Sequence, residues 1–203
     1  MTLFQEINQH MSVEDGKSPF FYRRAFTGLV KSYKNNPRKF IMDEKRDRQG
    51  DDENLLRKIP KIGHLMMFQY ETKAKNVKKF DAFPLVYVIE IDGKSFTGCN
   101  LHYIHPAKRE LVVQNLMEDR LNLPYNSVSK YNMTGVGPLL DIAKNEWANA
   151  ANLPIEDFVS IQDGKPKRLL NASVWKETNK TFRDMLRGMR RYQGYGKNDS
   201  DFR

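Results

Sequence analysis

The residue types best suited to chemistry lie between Gly63 and His105. His102 and His105 stand three apart, with His64 upstream, and together they are the raw material of a histidine metal site. Asp81, Asp92 and Lys94 echo a magnesium-dependent nuclease, in which two carboxylates hold the ion and a lysine helps orient the attacking water. Each group also has a plainer reading. Residues three apart on a strand point to opposite faces, so His102 and His105 cannot chelate together without a bulge. His102 is therefore expected as a hydrogen-bonded histidine beside Asn100 and Tyr103. Asp92-Gly93 is a strong hairpin signal, because a type I′ turn needs positive φ at both central positions. Asp81 reads as a loop or cap residue ahead of Phe83-Pro84. Cys99, the single cysteine, is expected as a small buried hydrophobe rather than a nucleophile. No Gly-rich phosphate loop, nucleophile elbow or paired metal motif is present in the sequence. Neither a metal nor any other cofactor is expected, and no catalytic residue is assigned.

A different chemistry is written in the basic residues. Over a helix expected from about Asn171 to Tyr192, Lys176, Lys180, Arg183, Arg187, Arg190 and Arg191 fall within about a third of the circumference. Trp175, Phe182, Met185, Leu186 and Met189 fall on another side. Like charges at this spacing cost a few tenths of a kcal/mol per pair on an isolated helix, which a phosphate backbone would offset. The structural alternatives are a solvated face and the preference of cations for a helix C-terminus. A second basic helix is expected over Phe20 to Tyr33, opened by Ser18-Pro19, with Arg23, Arg24, Lys31 and Lys34 as its cations. Its apolar side is expected at Phe21, Ala25, Leu29 and Val30. The net charge of +9 is uneven: residues 1–62 carry +4, 63–105 carry +1, 106–165 carry −2 and 166–203 carry +6. Both ends are basic around a near-neutral middle, as in a scaffold presenting basic arms to a polyanion or an acidic protein surface.

The elements that position these residues follow from periodicity. His64 to Tyr70 and Leu85 to Ile91 are apolar on both alternating faces, the pattern of strands buried on two sides. Ser95 to Ile104 reads as the hairpin partner. Pro106 opens a helix with Val112, Val113, Leu116, Met117 and Leu121 at helical spacing. Asn122 to Gly137 is turn-rich, Pro138 to Ala150 reads as a helix, and Gln162 to Lys167 reads as a loop. The expected fold class is α+β: a small antiparallel β-barrel or twisted sheet over about 62–104, packed helices and basic terminal arms. The expected division is an N-terminal arm with linker (1–61), a sheet core (62–165) and a basic C-terminal helix with tail (166–203). The chain is long enough for one substantial domain. One cysteine excludes an internal disulfide and fits a reducing cytosol or a particle assembled there. No apolar run approaches a membrane span, and no basic-then-apolar leader opens the sequence.

The central pattern resembles a known family. Gly63, Phe68, Tyr70 and Lys73, then Asp81, Phe83, Pro84, Leu85 and Val86, then Gly93, Phe96, Gly98, Asn100, Leu101, His102, Tyr103 and Arg109 are similar to the DNA end protector proteins of T4-like tailed phages. The match is specific over about the central fifth of the chain. Glu71-Thr72 stands where the family has Asp-Pro, and Val77 to Phe80 where it has Leu-Pro-Tyr. The resemblance implies a non-enzymatic virion protein, assembled in the host cytoplasm, that binds the end of packaged double-stranded DNA or the head–tail region. It implies portal, neck, tail or baseplate proteins as partners within a larger assembly, and no membrane. The first alternative is a purely structural virion subunit whose basic arms bind neighbouring proteins. The second is a magnesium-dependent nuclease built on Asp81 and Asp92. The contacts expected on the leading reading are Lys176, Lys180, Arg183, Arg187, Arg190, Arg191, Arg23, Arg24, Lys31 and Lys34.

Overall fold

The computed structural model describes residues 18–34, 55–120 and 123–178. In chain order its elements are α1 (Pro19–Lys34), β1 (Leu55–Arg57), β2 (Leu65–Met67), β3 (Val77–Asp81), β4 (Leu85–Asp92), β5 (Ser95–Asn100), α2 (Pro106–Met117), β6 (Val128–Asn132), β7 (Leu139–Ile142), α3 (Trp147–Ala151), β8 (Phe158–Gln162) and β9 (Lys165–Arg168). A last helix, α4, occupies 171–178. Six strands form one antiparallel sheet in the order β1-β7-β2-β4-β5-β6, and three form a second in the order β3-β8-β9. The fold is α+β, but among the described residues neither sheet closes and β1 and β6 are the edges of the larger one, so the expected barrel is corrected to two open sheets.

The large sheet is buried on both faces, and β2 shows why. Leu65, Met66 and Met67 are all buried, and the two-residue period of a strand sends them alternately to either side. Leu65 and Met67 join Leu85, Tyr87, Leu140 and Ile142 under the helices, where Tyr22 and Phe26 of α1, Val112, Val113 and Leu116 of α2, and Trp147 of α3 complete the core. Met66 joins Phe68, Val86, Val88, Phe96, Tyr131 and Leu139 on the opposite face. Fully burying such a side chain contributes about 1.5–3 kcal/mol. Helix α2 begins as its sequence dictates, with Pro106 in the first turn and the His105 Nδ1 accepting the Ala107 N–H at 3.3 Å.

Several expectations change. Leu139–Ile142 is a strand, not the start of a helix, because it lies between β1 and β2 and pairs with both. The helix there is confined to Trp147–Ala151, anchored where the Trp147 indole N–H donates to the Ile142 carbonyl at 2.8 Å. The buried side of α1 is set by Tyr22 and Phe26, while Phe21 and Ala25 are half-buried; the side chains of Leu29 and Val30 lie outside the described ones. Asn122 to Gly137 contains β6, paired with β5. The β4–β5 turn forms one residue later than Asp92-Gly93 implied: Asp92 pairs with Ser95, and of the two turn residues only Gly93 has positive φ, at 51°. The type I′ pattern appears instead in the region read as a loop, where Asp163 and Gly164 have φ of 50° and 75° and join β8 to β9. Leu55–Arg57 belongs to the large sheet, and β9 begins at Lys165.

Candidate polyanion-binding surface

The residues of the central pattern meet in a buried polar network. Asp81, Asn100, His102 and Arg109 are all essentially without solvent exposure. The Asp81 carboxylate accepts from the Phe83 N–H at 3.0 Å, the Asp157 N–H at 3.2 Å and the Asn100 amide at 3.2 Å, and pairs with His102 Nδ1 at 2.7 Å. Burial alone would raise the Asp81 pKa, but the His102 ring and the backbone donors outweigh it and hold the carboxyl below its ordinary value. Arg109 ties three segments to α2: it donates to the carbonyls of Ile104 at 2.9 Å, Ala151 at 3.0 Å and His102 at 3.3 Å, and pairs with the buried Glu156. Trp175 of α4 donates its indole N–H to the His102 carbonyl at 2.8 Å. His102 is thus the hydrogen-bonded histidine expected from sequence, although its main side-chain partner is Asp81.

This geometry limits the chemistry open to the central residues. An aspartate–histidine pair serves a nucleophile through the second ring nitrogen. Here Nε2 of His102 is buried and has no hydrogen-bond partner among the described residues, and the buried Ser127 hydroxyl is bonded to Cys99 and to the Pro124 carbonyl. Asp81 bonds Asn100, which lies opposite Val86 near the start of β4, whereas Asp92 ends that strand, roughly 20 Å away at strand rise, so they cannot share one ion. Asp92 pairs instead with Lys130 at 3.0 Å. His105 caps α2 and meets the edge of the Trp175 ring at 5.3 Å, away from the Asp81–His102 pair.

The small sheet gathers cations. Strand β9 reads Lys165-Pro166-Lys167-Arg168 and is exposed along its whole length. On the other edge, β3 carries Lys78 and Lys79, preceded by Lys73 and Lys75 in the connecting loop. That loop is fastened to the β8–β9 turn: the Gly164 N–H donates to the Lys75 carbonyl at 3.0 Å, and the Asp163 N–H to the Asn76 side chain at 3.0 Å. Two left-handed residues at the turn therefore bring the loop lysines to the same end of the sheet as Lys165. Helix α4 lies alongside β3, joined by the Lys79–Glu177 ion pair at 2.5 Å and by the packing of Val174 with Tyr103 and Phe158. Lys176 is exposed on that helix. Among the described residues Lys73, Lys75, Lys78, Lys165, Lys167 and Lys176 form no ion pair, whereas Lys79 and Arg168 do, with Glu177 and Asp157.

The residues expected from sequence divide. Lys176 is part of this surface. Lys180, Arg183, Arg187, Arg190 and Arg191 lie outside the described residues. Arg24 is exposed on α1. Lys31 and Lys34 belong to α1, with side chains outside those described. Arg23 is the correction: its guanidinium donates to the carbonyls of Ile155 at 3.2 Å and Glu156 at 2.8 Å and pairs with Asp157 at 3.2 Å. A planar fork satisfied by buried acceptors holds α1 on the body and is not free for phosphate. The lysines of the loop, β3 and β9 escaped sequence reasoning because they are scattered over a hundred residues. Lys73-x-Lys75-x-x-Lys78-Lys79 and Lys165-x-Lys167-Arg168 were the available signal. Comparison of the chain with protein-family models, with curated proteins and with solved structures finds no match.

Proposed function

We propose that this is a non-enzymatic DNA-binding protein that grips the phosphate backbone of double-stranded DNA with the lysine face of its small sheet, continued by the basic segment that follows α4. The observation that carries the reading is the convergence of six exposed lysines, from three separate segments, with no ion pair among the described residues. Lysine and proline on an edge strand also guard against strand-to-strand aggregation, which accounts for β3 and β9. It does not account for Lys73 and Lys75 in the loop or Lys176 on a helix. Lysine contacts to phosphate carry no base information, so binding is expected to be sequence-independent. The resemblance of the central pattern adds the setting: a phage particle, at the genome end or the head–tail region.

The test is exonuclease protection of linear duplex by the purified full chain, with excess closed circle as competitor, across a salt series. Protection that survives the circle supports action at a DNA end. Binding that the circle removes supports a general phosphate grip. A wild-type protein that fails to bind either DNA at low salt overturns the reading. That result would favour the second one, a structural subunit whose neighbours are proteins, for which the large exposed apolar residues speak: Leu170 is 79%, Ile59 70% and Ile62 57% exposed.

A further inference from the structure

A groove of about 430 Å³ opens beside the lysine loop, a size within the roughly 300–1,000 Å³ of small-molecule sites. The backbones of 69–71 and 135–137 run side by side along it. The Glu71 N–H donates to the Gly135 carbonyl at 2.9 Å, and the Gly137 N–H to the Gln69 carbonyl at 2.8 Å. A Cβ at Gly135 would fall 2.2 Å from the Glu71 carbonyl oxygen, so the approach requires glycine. Two half-buried rings line the groove, Tyr70 and Phe83. Both are held by edge contacts, Tyr70 by Tyr131 at 5.1 Å and Phe80 at 6.1 Å, and Phe83 by Phe26 at 6.2 Å. Lys73 belongs both to the groove wall and to the lysine loop.

We propose that this groove receives one unpaired nucleobase of a bound nucleic-acid strand, so that the surface favours DNA with an unstacked base over uninterrupted duplex. The inference rests on the DNA-binding reading above. Aromatic rings already fixed by their neighbours offer a base a stacking surface without further ordering. The charges divide the site: Lys73 at the junction with the lysine loop suits a phosphate, whereas the exposed Glu71 carboxylate repels one and accepts from an exocyclic amine. Cytosine, adenine and guanine carry that amine and thymine does not, so amino-bearing bases fit best.

The experiment is a fluorescence-anisotropy titration of the full chain with three blunt duplexes of equal length: one uninterrupted, one with a central bulged cytidine, one with a central bulged thymidine. The bulged cytidine is expected to bind about fivefold more tightly than the uninterrupted duplex, on the scale of one stacked base, and the bulged thymidine less so. Thr134→Trp, which fills the groove from an exposed position, is expected to abolish that gain and leave the uninterrupted duplex bound as before. Lys165→Glu with Lys167→Glu should weaken all three alike. Equal affinity for bulged and uninterrupted DNA, or a gain that survives a folded Thr134→Trp protein, overturns the groove proposal alone. If no duplex binds, the DNA-binding reading falls first. Deoxycytidine monophosphate then decides the groove: shifts of the Val136 and Gly137 amide resonances would keep it, and their absence would overturn it.

Discussion

At the scale of single residues, Asp81 and Arg109 each gather four polar partners in the buried network. The Asp81 carboxylate accepts three N–H bonds and pairs with the His102 ring in a site without solvent, an arrangement that favours the ionised carboxyl. A carboxyl whose pKa is lowered on folding stabilises the protein above its ordinary pKa, and the contribution is lost as pH falls through the folded value. The native protein is therefore expected to lose stability below the ordinary carboxylate range. Asp81→Asn keeps the shape but sets an amide among the donors, at a cost of about 1–3 kcal/mol near neutral pH. Urea denaturation at a series of pH values should show the variant less stable at pH 7 and the gap narrowing toward pH 2. A gap independent of pH would mean that Asp81 is not the titrating group. Cys99 makes a complementary prediction. Burial, only partly offset by its hydrogen bond with Ser127, pushes its thiol up to about 12. It should resist alkylation at pH 8 in the native state and react at once in denaturant, as mass spectrometry would register.

The second scale is the element, where the sequence was read unevenly. The strands at Leu65 and Leu85 and the helix after Pro106 were legible because burial on both faces, or on one helical stripe, leaves an unambiguous period. Leu139, Leu140, Ile142 and Trp147 fit a helical stripe equally well. Pairing with β1 and β2 decided between the periods, and no local signal reports a partner 80 residues away. The β8–β9 hairpin was missed for a different reason: Lys165-Pro166-Lys167-Arg168 has no apolar alternation, since every residue of β9 is exposed. What betrays it is the turn. At Gly164, φ is 75°, a conformation that costs a residue with a Cβ about 1–2 kcal/mol. Gly164→Val should fray β9 and detach the loop at Lys75 while leaving the large sheet intact. Hydrogen exchange is expected to accelerate at the amides of Ser160 and Gln162, which face β9, and of β9 itself, and to stay slow in β4 and β5. Uniform acceleration would mean that the small sheet unfolds with the rest.

For the whole molecule, the deciding quantity is how charge is distributed over a scaffold that is itself close to neutral. The central pattern supplies the scaffold: Asp81, Asn100, His102 and Arg109 are buried. The polar groups most distinctive in the sequence are thus structural, while the lysines that look unremarkable one by one form the surface. Their placement in the fold, through the turn at Asp163-Gly164 and the docking of α4 on β3, is what gathers them. That view has a measurable consequence. If the loop, β3 and β9 lysines each neutralise one phosphate, the logarithm of DNA affinity should fall with the logarithm of salt concentration at a slope of about −0.9 per contact. Replacing Lys75, Lys165 and Lys167 by glutamine should make the slope shallower by about 2.7, with the same loss on unrelated DNA sequences because no base is read. The folded core should be unaffected, since all three side chains are exposed and unpaired among the described residues. A variant with a lower affinity but an unchanged slope would show that these lysines shape the surface without touching phosphate. The contact would then have to come from the basic residues beyond α4, and the same titration on a chain ending at residue 178 would show the slope collapse.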